Sequence, residues 1–300
     1  MSRIDEAWRR VLGNVPHSRE SAALAERLEE PHEGVLQHYP RESVGSSAEA
    51  VDRLPHPTVV APRTGDRRQL RPLHVAFGPK LVVSDKATPI GVEQYRRLAG
   101  AVHDFQVEQG LKTLMVTSAL PNEGKTLTVA NLALTLSEAC SRRVLLIDAD
   151  LRRPSLHELF RLPNARGLSE LLRSEGGEMP LLQVSEHLTV LPAGNVNQPM
   201  ALTSDRMRLL LEQFAATFDW VLIDTAPVGF MPDAQLLARL TRAVLFVIAA
   251  NSTPHRLVSR AIAELGPECV VGTVLNCVEA HNIPAAAYYQ DYYSPDRQPD

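Results

Sequence analysis

The apolar positions change their period twice along the chain. In residues 1–30, Ile4, Trp8, Val11 and Leu12 share one helical stripe, and Leu24, Ala25 and Leu28 another, which predicts two short helices. From Pro31 to about Pro72 the pattern dissolves into prolines, charges and small polar residues. Such a segment cannot bury enough surface to offset chain entropy, so a flexible linker is expected over 31–72. After Leu73, strand-length apolar runs alternate with helical patterns. The runs are Thr113–Thr117, Val144–Asp148, Thr189–Pro192, Trp220–Asp224, Ala243–Ala249 and Val270–Leu275. Helices are expected from Lys125, near Ser204–Phe218, near Asp233–Leu240 and from Pro254. A continuous run such as VLFVIAA is what a strand covered on both faces looks like. The fold class predicted for 73–284 is therefore α/β, a mostly parallel sheet with helices on both faces. Such sheets bind ligands at the carboxyl ends of their strands.

Composition narrows the picture. Three hundred residues with 44% hydrophobic content suit one domain with appendages. A net charge of −4 gives no electrostatic reason to expect nucleic acid as a partner. The basic residues are nearly all arginine; Lys80, Lys86, Lys112 and Lys125 are the exceptions, so a lysine inside a candidate binding loop stands out. Cys140, Cys269 and Cys277 lack paired metal-ligand spacing, and reduced thiols in a cytoplasmic protein are the simplest expectation. No apolar run approaches the roughly 20 residues of a membrane helix, and the first residues, MSRIDEAWRR, lack the apolar stretch of a signal peptide.

Ala119–Thr126 reads ALPNEGKT, a phosphate-binding loop between the strand ending at Thr117 and the helix beginning at Lys125. Backbone N–H groups of Asn122, Glu123, Gly124, Lys125, Thr126 and Leu127, with the positive helix end behind them, suit an oxyanion cradle. Gly124 permits close backbone approach. Lys125 is expected to reach the β/γ-phosphates of ATP, and the Thr126 hydroxyl to bind Mg²⁺. Two further strands end in acids: VLLIDADLRRP carries Asp148 and Asp150, and VLIDTAP carries Asp224. Three carboxylates around one phosphate loop repel one another unless a cation sits among them. One or two would hold Mg²⁺, with Thr126, Asp150 and Asp224 as candidates, leaving another acid to orient or deprotonate a nucleophile. A lone aspartate at such a place is as well explained as a helix cap.

ALPNEGKT, VLLIDADLRRP and VLIDTAP, in this order, resemble the Walker A, A′ and B motifs of the bacterial tyrosine kinases, more narrowly the cytoplasmic P-loop autokinases of capsule and exopolysaccharide systems, relatives of the partition and division-site ATPases. LPNARGLSELL, LTVLPAGNVNQP and VGTVLNCVEA match the same texture, so the likeness runs from about Lys80 onward. The resemblance implies a P-loop NTPase fold and ATP-dependent autophosphorylation that regulates polysaccharide synthesis and export. It implies a membrane-spanning chain-length regulator as activator, a cognate tyrosine phosphatase, a homo-oligomer, and a cytoplasmic place at the inner membrane through the partner. It assigns Lys125, Asp148, Asp150 and Asp224 to catalysis, with Asp148 a candidate base, and Asn276 to a position that reads adenine or simply caps a strand. Three departures stand out. Asn122 replaces a common glycine, which an asparagine tolerant of left-handed backbone satisfies. Leu120 replaces the extra lysine of the partition ATPases, which favours the kinase branch. Glu93 and Arg96 match the family's Glu-x2-Arg-x2-Arg oligomerisation motif, but Ala99 stands in the last place and Arg97 points to another helix face.

The final stretch gives the phosphate loop its meaning. Tyr288, Tyr289, Tyr292 and Tyr293 are four of the chain's six tyrosines, in a polar, aperiodic tail assigned to 285–300. About 12 residues separate them from Asn276, enough to span roughly 40 Å when extended, so the tail would reach its own nucleotide site or a neighbour's. A phenol titrates near 10, so transfer to it at neutral pH benefits from a carboxylate that accepts its proton. The reading is a tyrosine autokinase acting on this tail. The alternatives are a positioning ATPase, with water as nucleophile and a dimerisation cycle, and a nucleotide sensor without turnover.

Overall fold

The computed structural model describes residues 81–84, 87–173, 179–195, 202, 205–230 and 232–279, all within the compact unit Glu49–Asp300. The expected helices of 1–30, the linker and the tyrosine tail lie outside the described residues.

Helix α1 (Pro89–Gln109) opens the described fold. Thr88 caps it by accepting the Gly91 N–H at 3.1 Å, Pro89 supplies a pre-set φ at its first position, and Gly110 ends it in the left-handed region at φ 67°. Strand β1 (Thr113–Ser118) leads into the phosphate loop and helix α2 (Lys125–Leu134), whose last turns widen into a π-helical segment, Thr135–Ala139. Then follow β2 (Val144–Asp148), the short helices α3 (Leu156–Leu159) and α4 (Leu168–Arg173), β3 (Leu182–Gln183) and β4 (Leu188–Leu191). The remainder is α5 (Asp205–Thr217), β5 (Trp220–Asp224), α6 (Pro232–Thr241), β6 (Val244–Ala249), α7 (His255–Leu265) and β7 (Val270–Asn276).

The seven strands lie in the order β3-β4-β2-β5-β1-β6-β7, and every pair but β3–β4 is parallel. The sheet is α/β and mostly parallel, as the alternating pattern predicts. Both faces are covered. Met115, Ile147, Ile223 and Phe246 pack against α5, α6 and α7, while Val116, Leu146, Leu222 and Val247 pack against α1 and α2. Alternation along β5 then sends Asp224 to the α2 side, two residues beyond Leu222. Asp148 lies beside it because the two are partners in the parallel β2–β5 ladder. The strand ends and the start of α2 therefore meet at one edge of the sheet.

Among the described residues, no helix is long and apolar enough to cross a membrane. The three cysteines are free thiols, two exposed and Cys269 buried.

Candidate active site

The phosphate loop is shaped by two left-handed residues, Asn122 at φ 65° and Gly124 at φ 88°. Asparagine tolerates this region better than other side chains, which explains how the loop dispenses with a glycine at 122. Gly124 cannot be replaced so easily: a Cβ there would fall 2.0 Å from Asn276 Nδ2. Successive amides turned this way form an anion-binding concavity at the start of α2.

Four charged side chains converge behind the loop. Lys125 Nζ lies 3.0 Å from Asp150 Oδ2 and 3.8 Å from Asp224 Oδ1. The Thr126 hydroxyl donates to Asp224 Oδ2 at 2.6 Å, and the Ser155 hydroxyl stands 3.5 Å from Thr126 Oγ1. Asp148 Oδ2 accepts the N–H groups of Ser155 and Leu156, both at 3.0 Å, and Asp150 Oδ1 accepts the Arg153 N–H at 3.1 Å. Asp148 thus caps the entry to α3 with one oxygen, while its other oxygen accepts no hydrogen bond. Asp148 and Asp224 are fully buried, and Asp150 is 4% exposed.

Burial and neighbouring charge set the titration of these groups. Burial first, then the Asp224 charge, push Asp148 up to about 8, against the two N–H donors that pull it down. Burial likewise raises Asp224 to about 6, although Lys125 and the Thr126 hydroxyl oppose it. For Lys125, burial works against the ammonium, but Asp224 and Asp150 outweigh it, so the pKa lies above the ordinary lysine value. Three acids against one ammonium leave the pocket short of positive charge.

That shortage fits a divalent cation. Asp148 Oδ1 and Asp224 Oδ1 are buried and accept no hydrogen bond, so each has lone pairs turned into the cluster. Among the described residues, no three His, Cys, Asp or Glu side chains form a group that could hold a metal ion by themselves. The acid-rich set beside Thr126 suits Mg²⁺, which takes one or two carboxylates and completes its shell with water and phosphate oxygens.

Two expected site residues take roles that the spacing did not show. Glu123 turns its side chain inward, 3% exposed, onto the Leu120 N–H. Asn276 ends β7 and donates from Nδ2 to the Glu123 carbonyl at 2.9 Å, so it braces the loop. Ser155 was not singled out in the sequence; only its place after the acidic strand end, behind Pro154, could have signalled it. Leu120 is half-buried against the core, and its N–H bonds the Glu123 carboxylate. Tyr288, Tyr289, Tyr292 and Tyr293 lie outside the described residues.

No protein-family model matches the chain. It is 34% identical over 190 residues to the tyrosine-protein kinase YwqD of Bacillus subtilis, covering 61% of this chain and 80% of that one. It is 30% identical over 234 residues to CapB of Staphylococcus aureus, also named a tyrosine-protein kinase, covering 76% of this chain and 97% of CapB. The chain belongs to the bacterial tyrosine-protein kinases. Solved structures agree. The kinase domain of the Escherichia coli tyrosine kinase ETK superposes with a TM-score of 0.62 at 32% identity, over 72% of this chain and 85% of that domain. A chimerical protein, CapA2B2, gives 0.61 at 28% identity, over 66% and 90%. The protein is thus a P-loop tyrosine autokinase of the capsule and exopolysaccharide type. In this kinase Lys125, Thr126, Asp148, Asp150 and Asp224 come together at one strand edge, as their motifs suggested.

Proposed function

We propose that this kinase transfers the γ-phosphoryl group of Mg-ATP to Tyr288, Tyr289, Tyr292 and Tyr293, with Asp148 taking the proton from the attacking phenol. The observation that carries the reading is the meeting of Lys125 with Asp150 and Asp224, beside a buried Asp148 carboxyl that keeps one oxygen without a hydrogen bond. Lys125 and the loop amides of 122–127 hold the phosphates. Thr126 and Asp224, with Asp150, would hold the cation, which would supply positive charge to the phosphates. Asp148 is placed by the Ser155 and Leu156 N–H groups so that its other oxygen stays free for a proton. Burial raises the Asp148 carboxyl, so its ionised form is a stronger base toward a phenol than an ordinary carboxylate.

Likeness to a chimera carrying a CapA portion supports a membrane-anchored chain-length regulator as activator. On this reading the enzyme works at the inner membrane through that partner, self-associates, and is reset by a cognate tyrosine phosphatase. Each phosphate adds about −1.5 to −2 charges, so a fully modified tail would carry roughly −6 to −8 more and be driven out of an acid-lined site.

The test uses labelled Mg-ATP and phosphotyrosine detection on wild type, Lys125→Met and a variant with all four tail tyrosines changed to Phe, with the activating segment present. Label on the wild type alone supports the reading. Phosphate release without protein label would replace it with a positioning ATPase.

A further inference from the structure

Glu123 is the most enclosed polar side chain of the phosphate loop, and it touches none of the groups that meet at Lys125. Its Oε2 accepts the Leu120 N–H at 2.6 Å. Its Oε1 accepts the Ala249 N–H at 3.4 Å and the Thr253 hydroxyl. Its own carbonyl accepts Asn276 Nδ2. One residue thus ties together its own loop, the end of β6, the turn between β6 and α7, and the end of β7. A carboxyl at 3% exposure is costly unless donors surround it, and three do. An apolar side chain here would leave two buried N–H groups unpaired.

The position of this tether matters more than its stability. Glu123 sits between the left-handed residues Asn122 and Gly124. Drawing its side chain into the protein forces the flanking amides to face the other way, toward the concavity. Thr253 supplies the only hydroxyl in the set, and it stands on a turn, Ala250–Thr253, that makes no other contact with the phosphate loop among the bonds described.

We propose that Glu123 and Thr253 form a latch that sets the curvature of the phosphate loop, so that the β6–α7 turn governs affinity for the nucleotide. Both are positioning residues. The inference rests on the reading above that this loop holds ATP phosphates. Thr253 is half-buried on a surface turn, so Thr253→Val leaves the fold intact while removing the hydroxyl. Mg-ADP binding to the full chain by titration calorimetry, and KM for ATP against kcat, should separate the roles. The expected result is a fivefold or greater loss of Mg-ADP affinity in Thr253→Val, about 1 kcal/mol. KM for ATP should rise in parallel, kcat should change less than twofold, and Thr253→Ser should restore binding. In a double cycle, Glu123→Gln with Thr253→Val should lose less than the sum of the two single losses. Wild-type affinity in Thr253→Val, or a melting-temperature change with unaltered affinity, would overturn the latch, as would additive losses in the cycle. Failure of the wild type to bind Mg-ADP at all would instead refute the underlying reading.

Discussion

Lys125 Nζ stands 3.0 Å from Asp150 Oδ2, so the cation of the phosphate loop and the acid two residues beyond β2 form a nearly buried pair. The same ammonium is 3.8 Å from Asp224. One point charge serves two carboxylates from different strands, and a larger, planar guanidinium would have to place its fork differently between them.

Lys125→Met should therefore lower tyrosine phosphorylation by about 100-fold or more, on the scale of losing one charge-stabilising group. Lys125→Arg should rescue little of it. Initial rates of label incorporation, with circular dichroism confirming the fold, decide the matter. Substantial activity in Lys125→Arg would mean that positive charge alone suffices.

Stability should fall as pH rises in protein freed of nucleotide and divalent metal. An unfolded aspartate titrates near 3.9, whereas folded Asp148 is raised to about 8. Between those values the folded chain holds a proton that the unfolded chain has released, so the stabilising contribution is present at low pH and lost toward 8. Asp224 adds to the decline only up to about 6. Asp148→Asn, which mimics the protonated acid and still accepts the Ser155 and Leu156 N–H groups, should flatten the profile. Calorimetric melting from pH 5 to 9 on both proteins checks this; parallel curves would dismiss the shift.

Gly124→Ala should cost at least about tenfold in Mg-ADP affinity, because a left-handed alanine costs roughly 1–2 kcal/mol and its Cβ would strike Asn276 Nδ2. Pairing it with Asn276→Ala removes the collision but not the backbone penalty, so part of the affinity should return. If the pair binds no better than Gly124→Ala alone, the overlap is not what hurts.

Mass spectrometry of the active kinase should place phosphate on Tyr288, Tyr289, Tyr292 and Tyr293, with Tyr39 and Tyr95 unmodified. The four-Phe variant should retain Mg-ADP affinity within about twofold, since none of the four positions belongs to the loop segment 119–126. Light scattering before and after labelling should show a smaller mean mass in the phosphorylated sample, as added negative charge separates subunits.

The strands and their acidic ends were legible because both signals are local: an apolar run, then Asp148 or Asp224. The left-handed tolerance of Asn122 could also be read from one residue. Helix α1 was read only from its Glu93 and Arg96 motif positions, since just Ala99 and Val102 of its 21 residues are buried, too few to give a periodic stripe. The two-residue strand β3 and the helix α3 are too short for any period to register. The inward anchoring of the Glu123 side chain was not legible, because its contact with Thr253 spans 130 positions, and no spacing rule reaches that far. The same holds for strand order: β5 lies between β1 and β2, although the chain makes it much later.

The pairing of Asp148 with Asp224 across the β2–β5 ladder makes their proximity an all-or-nothing affair. Side chains on neighbouring strands switch sides with every step of one residue, so sliding either strand by a single position would send one acid into the oily layer beneath α5 and α6. Gradual drift of that pair is not open to evolution; interior aliphatic swaps that preserve the hydrogen-bonded alignment should leave the chemistry unharmed, while one inserted residue in either strand should abolish it.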